Sequence, residues 1–577
     1  MDLARPAIRM FHVVIVLGAI IATAMVRLSW AAPAPSLVEQ VSARIQARIV
    51  AQNRLTGFTC RGEPICGIQL LPPFYAARAY RPVWLDAAGL RPTAMALIRS
   101  ICGVGEDGLS PQDYHLSTIK RLKEEVDADL ILGSDSKAIH WADLDLLLTD
   151  AFLLLGSHLS AGRVNPETLH TDWLLSDQTV DMMAILDQAV TEAQLDQAID
   201  RLRPAQPAYT RMRTALVTLG ALALRGGWPQ VPLSDTLRPG HRHARVLALR
   251  HRLQISGDLP AATTSESPDH LDADLTRAVK RFQIRHGLTP DGLVGRRTLA
   301  ALNVPIEARI RQIELNLERL RWLPTALGAR HIAVNTADFS LTAVENHQAV
   351  LRMRVVVGRP ARRTPVFSAP MTYLVLNPYW TIPHTIVIED VLPKAVADPD
   401  YFEQRSIKVY HGWDETSDPI DPGSVNWRDY GENNMPFRFV QAPGPTNPLG
   451  RIKFMFPNKF SVYLHDTPGR HQFNRTRRYI SSGCIRVEKA AALAHFLLKG
   501  NGHWDRRRIQ AAIQTGERQL IHIPRQVLVH LFYITAWVDE MGVLQFRNDI
   551  YDRDVALDRA LRTRDRTTLL SPKASIR

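Results

Sequence analysis

The amino-acid sequence predicts a multidomain α+β protein. It has an all-helical N-terminal region, a small three-helix unit and a mostly-β domain with an inserted lid. A chain of 577 residues is long for one hydrophobic core, so about three or four domains are expected. Helical periodicity dominates residues 36–235 and returns in the compact stretch 240–303. After residue 330 the pattern changes to short alternating apolar and polar segments, which indicate strands.

The composition favours folded domains and excludes some classes of function. Hydrophobic residues make up 46% of the chain and charged residues 22%, which is typical of globular proteins. The formal net charge of +13 favours an acidic partner. Nucleic acid is not expected, because the sequence has no zinc finger, no RNA-binding aromatic motif and no basic helix ahead of heptads. It also has no phosphate-binding loop or dinucleotide fingerprint, so no nucleotide cofactor is expected.

Residues 1–32 have the pattern of an export signal. Arg5 and Arg9 precede the apolar run 11–26, and small residues follow it at 31–34. The run is long for the apolar part of a cleaved signal and short for a membrane span of about 20 residues. We therefore expect export to the periplasm, by a signal that is either cleaved or kept as an inner-membrane anchor.

The first folded region, residues 36–235, is predicted to be a helical domain. Apolar residues recur at helical spacing in Ser36–Asn53, Leu186–Leu202 and Tyr209–Leu224. The segment Leu144–Leu155 is apolar enough to form a buried helix. Aromatic residues in this region are interpreted as core rather than as a ligand platform.

The four cysteines have two different expected roles. Cys60, Cys66 and Cys102 lie in the helical region, where an oxidising compartment permits a disulfide among them. Cys484 must stay reduced if it acts as a nucleophile. A Cys-x-x-Cys pair is absent from the sequence, so neither a thiol oxidoreductase nor a structural zinc site is expected, and no metal is predicted.

Residues 240–303 predict a three-helix unit. The first helix covers Arg242–Leu253, and the second covers Ala273–Arg285 with Asp272 as its N-cap. A turn at Pro290-Asp-Gly precedes a short third helix, Arg297–Leu302.

The amphipathic helix 305–324 is expected to join this unit to the mostly-β domain, 330–524. In the segment 350–357 the apolar residues share one face, which is typical of a half-buried strand. Many short strands with few helices predict a β-sandwich or an open barrel. Residues 384–448 interrupt the strands and are interpreted as a lid, with a flexible surface loop as the alternative. Residues 525–577 are expected to pack back on the helical scaffold and to end in a frayed tail.

The residues with catalytic potential lie between Ser461 and Glu488. A thiol becomes a nucleophile at neutral pH only when a base or a positive charge favours the thiolate. The alternating segment before His465 would place that histidine at a strand end, ahead of Cys484. The turn Ser-Ser-Gly-Cys would let a substrate carbonyl approach Gly483, whose N–H could line an oxyanion hole. The alternative is a small buried cysteine and a surface histidine without catalytic roles.

The order of motifs resembles a known family. His465-Asp-Thr-Pro, then Phe473 and Arg475, then Ser-Ser-Gly-Cys484-Ile-Arg-Val closely resembles the signature of the L,D-transpeptidase (YkuD-type) catalytic domain. Most members have His before the Gly-Cys pair, where this chain has Ser482, as the larger multi-domain members do. His465 is then the only general base within the motif.

Two other regions resemble domains of the same large enzymes. The N-terminal region is similar to their scaffold region. Val279-Lys-Arg-Phe-Gln and Asp291-Gly-Leu-Val-Gly are similar to phrases of a peptidoglycan-binding module. This unit either binds a glycan strand or serves as a spacer, and both interpretations stay open.

The resemblance implies a periplasmic enzyme of cell-wall biogenesis and cell shape that forms 3→3 crosslinks between peptidoglycan stem peptides. Cys484 would attack a tetrapeptide donor and form a thioester, His465 would act as general acid and base, and a diaminopimelate amine would be the acceptor. Other cell-wall synthesis proteins are candidate partners. Besides Gly483 in the oxyanion hole, the candidate substrate-binding residues are Tyr463, Ser482, Arg486 and Trp380.

Two alternative functions stay open. Water could replace the acceptor amine at the same Cys/His site, which would make the protein an L,D-carboxypeptidase or a hydrolase that cleaves crosslinks. Alternatively, the chain could be a non-catalytic scaffold that binds peptidoglycan.

Overall fold

The computed structural model describes most of the chain and confirms a multidomain α+β protein with a mostly-β domain after residue 330. The residues described are 35–52, 58–128, 134–174, 180–233, 235–414, 416–500 and 502–563. The predicted export signal lies outside these residues. Within them, helices that are both long and apolar enough to traverse a bilayer are absent. Two compact units form, and each is described separately.

The helices that precede the mostly-β domain account for nearly all regular structure there. They are α1 (Leu37–Gln52), α2 (Leu71–Ala77), α3 (Pro92–Gly103), α4 (Leu116–Asp127), α5 (Ser134–Ala161), α6 (Pro166–Leu169), α7 (Met182–Thr191), α8 (Leu195–Leu202), α9 (Pro207–Leu224), α10 (Arg245–Ile255), α11 (Ala273–Arg285), α12 (Arg296–Leu302) and α13 (Ile306–Arg321). Two short hairpins, β1–β2 (Thr59–Cys60, Glu63–Pro64) and β3–β4 (Leu85–Asp86, Gly89–Leu90), add strands that the sequence did not predict.

The first unit is organised around the buried stretch of α5. Its leucines are fully buried, and so are three aspartates of the same helix: Asp143, Asp145 and Asp150. A buried charge is stable only when donors surround it. Asp145 accepts from the backbone N–H groups of Val83 at 2.9 Å and Trp84 at 2.8 Å. Burial nevertheless raises the pKa of Asp145 to about 6.

The other two aspartates are partnered as well. Asp150 accepts from the backbone N–H of Gly67 at 2.6 Å and from the His115 ring at 2.8 Å. Asp143 pairs with Arg61 at 2.6 Å and with Arg48 at 2.8 Å. The disulfide that the sequence permitted among Cys60, Cys66 and Cys102 is not formed.

In the second unit, α10, α11 and α12 enclose a small core of their own that includes Leu249, Phe282 and Leu299. Asp272 caps α11 as predicted, because its carboxylate accepts from the backbone N–H of Leu275 at 2.8 Å. Gly287 follows the helix with φ of +64°, a conformation that favours glycine.

The C-terminal extension packs on helices α9 and α13. Buried residues from the two helices and from the hairpin β18–β19 (Ala536–Val538, Leu544–Phe546) share one core. Tyr209 and Ile313 contribute from the helices, and Ala536 and Phe546 contribute from the hairpin. A last helix, α19 (Arg553–Arg562), ends the described chain.

The mostly-β domain is a closed sheet in the order β15-β7-β16-β14-β13-β8-β17-β5-β6. The strands are β5 (His331–Asn335), β6 (Ser340–Glu345), β7 (Gln348–Gly358), β8 (Phe367–Leu376), β13 (Ile452–Met455), β14 (Leu464–His465), β15 (Tyr479–Ser481), β16 (Ile485–Val487) and β17 (Gln519–Phe532). Strand β6 also pairs with β7, which closes the sheet. The mostly-β catalytic domain expected from the sequence is thus confirmed, and its sheet closes into a barrel. Closure is achieved because the long strand β7 pairs with β6 and with β16. Helices α17 (Ala490–Leu498) and α18 (Arg506–Gln514) pack on it.

Strand β17 continues through residue 524, where the sequence placed the end of this domain. The strand contains Pro524, which cannot donate to a ladder, and the pairing with β8 shifts register between His522 and Val527. The irregularity keeps both halves of β17 on the same partner strand.

The predicted lid is a folded subdomain rather than a flexible loop. Its strands β9 (Trp380–Thr381), β10 (Ile407–His411), β11 (Pro419–Ile420) and β12 (Phe437–Gln441) form a separate sheet in the order β11-β10-β12-β9. Its helical part comprises α14 (His384–Ile386), a π-helical turn (Val387–Val391), α15 (Leu392–Ala397) and α16 (Tyr401–Gln404). Phe402, Trp427 and Phe439 are central to a core that belongs to this subdomain alone. It also begins earlier than predicted, at Trp380.

Candidate active site

The register of three strands places the candidate residues on one face of the sheet. Strand β14 runs parallel to β16, with Leu464 opposite Ile485 and His465 opposite Arg486. Leu464 and Ile485 are fully buried in the core. Because side chains alternate along a strand, His465 and Arg486 lie on the other face, as do the residues one step earlier, Tyr463 and Cys484. On the next strand, β13, Lys453 is opposite His465 and shares this face.

In the register of β14 and β16, Tyr463 is the residue beside Cys484. The backbone N–H and the hydroxyl of Tyr463 favour the ionised form of the sulfur and so lower the pKa of the thiol. The indole of Trp380, the first residue of the lid sheet, in turn favours the ionised form of the Tyr463 hydroxyl. Burial raises the pKa of the Cys484 thiol, whereas the two Tyr463 groups and the charges of Lys453 and Arg486 lower it. Tyr463 and Trp380, two of the residues predicted to bind substrate, therefore belong to the surroundings of this thiol.

His465 is held as a neutral base. Its ring is buried, and Nδ1 lies 2.6 Å from the backbone carbonyl of Asp466. A carbonyl only accepts, so Nδ1 carries the proton, and the backbone carbonyl of Pro448 also acts on the ring. Burial, together with the nearby Arg486 charge, lowers the pKa of His465 to about 3. In the register of β14 and β16, His465 and Cys484 are diagonal neighbours on the same face of the sheet.

The turn before Cys484 depends on Gly483 and on hydroxyl groups around it. Gly483 has φ of +113°, a left-handed conformation that favours glycine. Its N–H donates to the Ser481 hydroxyl at 3.2 Å, and that hydroxyl donates to the Cys484 carbonyl at 2.6 Å. Thr364 donates to the Gly483 carbonyl at 2.8 Å. The N–H proposed for the oxyanion hole is therefore engaged by Ser481, and an oxyanion at this position would replace that acceptor.

Ser482 faces the lid rather than the sulfur. Its hydroxyl accepts from Arg362 at 2.9 Å. The same guanidinium pairs with Asp390 at 3.1 Å and with Glu389, both in the first helical turns of the lid. It also donates to the backbone carbonyl of Thr385 at 3.2 Å. Arg362 thus connects the catalytic turn to the lid, a contact that sequence reasoning missed.

Arg486 braces the basic spacer that precedes the catalytic turn. It donates to the side chain of Gln472 at 2.6 Å, and burial lowers the pKa of its guanidinium. Among the described residues it forms no ion pair with a carboxylate, and its Nε has no hydrogen-bond partner. Elsewhere in the spacer Arg475 and Arg477 are exposed, whereas Arg478 is half-buried.

The comparisons with known proteins agree with this arrangement. The family described as the L,D-transpeptidase catalytic domain matches residues 329–509. The scaffold domain matches residues 69–216, and the family described as "Putative peptidoglycan binding domain" matches residues 242–302. A Haemophilus influenzae protein described as "Putative L,D-transpeptidase" is 35% identical over 350 residues, which cover 59% of this chain and 70% of that protein.

Two crystal structures of L,D-transpeptidases were also found by structural comparison. That of Xylanimonas cellulosilytica (residues 123–326) is 16% identical and has a TM-score of 0.17, with 52% of this chain and 99% of that chain covered. That of Stackebrandtia nassauensis is 12% identical and has a TM-score of 0.19, with 53% of this chain and 96% of that chain covered. These low scores add nothing to the assignment.

The closed barrel with a cysteine, a histidine and a glycine turn on one face, within the matched catalytic domain, defines the class of L,D-transpeptidase enzymes. The chain belongs to the L,D-transpeptidase family, and it combines the catalytic domain with scaffold and peptidoglycan-binding domains. Its substrate is peptidoglycan.

Proposed function

We propose that the protein forms 3→3 crosslinks between peptidoglycan stem peptides through a thioester on Cys484. The observation that carries this proposal is the sheet face that a neutral His465 shares with Tyr463 and the Cys484 thiol. A neutral imidazole can accept the thiol proton, which a protonated one could not.

In the first half-reaction, His465 Nε2 takes the proton of the Cys484 thiol. The sulfur attacks the carbonyl carbon of the third residue of a tetrapeptide donor, so that a C–S bond forms. Negative charge develops on the carbonyl oxygen, for which the backbone N–H groups of Gly483 and Cys484 are the candidate donors. The C–N bond to the terminal D-alanine then breaks, and the proton held by His465 goes to the leaving amine.

In the second half-reaction, the side-chain amine of a diaminopimelate residue in another stem attacks the thioester. His465 accepts a proton from this amine as the new C–N bond forms. The C–S bond breaks, and the thiol of Cys484 is restored with that proton. The bound stem would lie beneath the lid, where Trp380 reaches Tyr463, and the reaction would take place in the periplasm.

The test is incubation of the full-length protein with purified tetrapeptide muropeptides, followed by mass spectrometry. We expect crosslinked dimers from the wild type and none from Cys484→Ala, because no other thiol lies in the catalytic turn. The matched control is Cys102→Ala, which removes an exposed cysteine outside the barrel and should leave dimer formation unchanged.

Other products would contradict the proposal. Tripeptide without dimer would identify a carboxypeptidase that uses water as acceptor. Unchanged substrate, with no covalent adduct on Cys484, would indicate a non-catalytic binding protein.

A further inference from the structure

We infer that Lys453 is an electrostatic positioning residue for the nucleophile: its ammonium group supplies the positive charge that stabilises the Cys484 thiolate. The inference rests on the proposed function in one respect, the assignment of Cys484 as the nucleophile. Neither the family signature around Cys484 nor the spacing of its motifs includes Lys453, which lies on a different strand.

The strand register places Lys453 beside the site. On β13 it is opposite His465 of β14 on one side and Val375 of β8 on the other. Its Nζ lies 4.1 Å from the centroid of the Tyr463 ring, within the range of a cation–π contact. That same tyrosine is beside Cys484 in the register of β14 and β16. Lysine, tyrosine and thiol therefore form a continuous group on one face.

Lys453 has no ion-pair partner among the described residues of the chain. Burial lowers the pKa of its ammonium, and the charge of Cys484 acts in the opposite direction. A half-buried cation without a carboxylate is costly unless an anion is close. An ionised Cys484 is such an anion, and it is the group whose charge favours the lysine's charged form.

The neutral state of His465 gives Lys453 this role. In a thiolate–imidazolium pair the histidine supplies the positive charge, but here the pKa of His465 is lowered to about 3. The remaining cation next to the thiol is Arg486, whose guanidinium is directed to Gln472. The thiolate that forms during attack then depends on Lys453 for an uncommitted positive charge.

Other titratable groups face Lys453 from the neighbouring strands, and they define what else could move its pKa. They are Tyr463 and His465 on β14, Cys484 and Arg486 at β16, Tyr373 on β8, His522 on β17, and Arg518 just before β17. None of them is a carboxylate, so none neutralises the lysine at physiological pH.

The test is the pH dependence of Cys484 alkylation by iodoacetamide in the full-length protein, followed by peptide mass spectrometry. In Lys453→Met we expect the alkylation rate at pH 7 to fall about tenfold, because a thiolate pKa raised by one unit lowers the thiolate fraction tenfold. Lys453→Arg keeps the charge and should restore most of the rate. The matched control is Lys408→Met, which removes an exposed lysine from strand β10 of the lid.

A wild-type alkylation profile in a folded Lys453→Met variant would overturn the inference. If that variant unfolds, Lys453→Gln serves as the second probe, with the same two outcomes. Alkylation measures the reactivity of the Cys484 thiol without any substrate. It therefore tests the role of Lys453 separately from the proposed crosslinking reaction. If the protein forms crosslinks but the alkylation rate of Cys484 does not depend on Lys453, the inference about Lys453 is wrong and the proposed function stands. If the alkylation rate depends on Lys453 but no crosslinks form, the proposed function is wrong and the inference about Lys453 stands.

Discussion

The buried charges of helix α5 and those of the catalytic sheet face are satisfied in different ways. In α5 each buried aspartate has several donors, as Asp145 has from Val83, Trp84 and Tyr75. On the sheet face, Lys453 and Arg486 form no ion pair with a carboxylate among the described residues. A fully partnered charge stabilises one conformation, whereas an unpaired cation leaves a place for an incoming anion. The first pattern fits a structural role, and the second fits the catalytic role proposed for this face.

The largest expected effect tests the functional side of this comparison. His465→Ala removes the neutral base and should lower the rate of dimer formation on the order of 10²–10⁴-fold, the usual range for a lost general base. The unfolding temperature should change little by comparison. His503→Ala, at an exposed position, is the control and should keep the wild-type rate. A full rate in His465→Ala would mean that another group takes the thiol proton.

A smaller effect is expected from the buried aspartates of α5, where the hydrogen bonds of Asp145 can be removed. Asp145→Ala leaves two backbone N–H groups and the Tyr75 hydroxyl without their carboxylate acceptor, so we expect about 3 kcal/mol of lost unfolding free energy. Denaturant unfolding measured by circular dichroism would detect it. Asp127→Ala, at the exposed end of α4, should cost far less. If Asp145→Ala and Asp127→Ala had the same free energy of unfolding, the hydrogen bonds of Asp145 would not contribute to stability.

The smallest expected effect is the pH dependence of the unfolding free energy, which tests whether His465 is buried in its neutral form. The pKa of His465 is about 3 in the folded protein and about 6.5 in an ordinary environment, so the unfolded state binds the proton first as pH falls. Stability from this group is therefore present above pH 6.5 and is lost as pH falls towards 3. Between pH 7 and pH 5 the loss should be on the order of 2 kcal/mol. His465→Gln should reduce the acid sensitivity, measured as the unfolding midpoint at the two pH values.

The exposed His503→Gln variant is the control for this pH effect and should keep the wild-type acid sensitivity. Other buried histidines with lowered pKa values, among them His170 and His286, limit how much the His465 variant can change. Burial lowers the pKa of His170 to about 4 and that of His286 well below its usual value, so part of the acid sensitivity should remain. An unchanged pH profile in His465→Gln would show that His465 is not buried neutral.

The sequence predicted what is local and missed what depends on long-range pairing. Cys484, Gly483 and His465 could be read from one motif, because a turn and a strand end are encoded by adjacent residues. Lys453 and Arg362 approach that motif only through strand pairing and through a loop packed against the turn. Neither contact leaves a periodic signal in the chain.

The same limit applies to the fold. Strand alternation revealed β6 and β7, but closure of the barrel depends on their pairing with each other and on the pairing of β7 with β16. The lid was recognised as an insertion because its composition differs from that of the strands. Its own core could not be foreseen, because Phe402, Trp427 and Phe439 come together from three separate segments.

Arg362 has a consequence for engineering. One guanidinium holds Ser482, two positions from the sulfur, and also two carboxylates at the start of the lid. The entrance and the nucleophile turn therefore cannot be redesigned as independent parts. A cap grafted from another protein onto this barrel would need acidic residues that meet Arg362, or the hydroxyl next to Gly483 would lose the orientation of its donor.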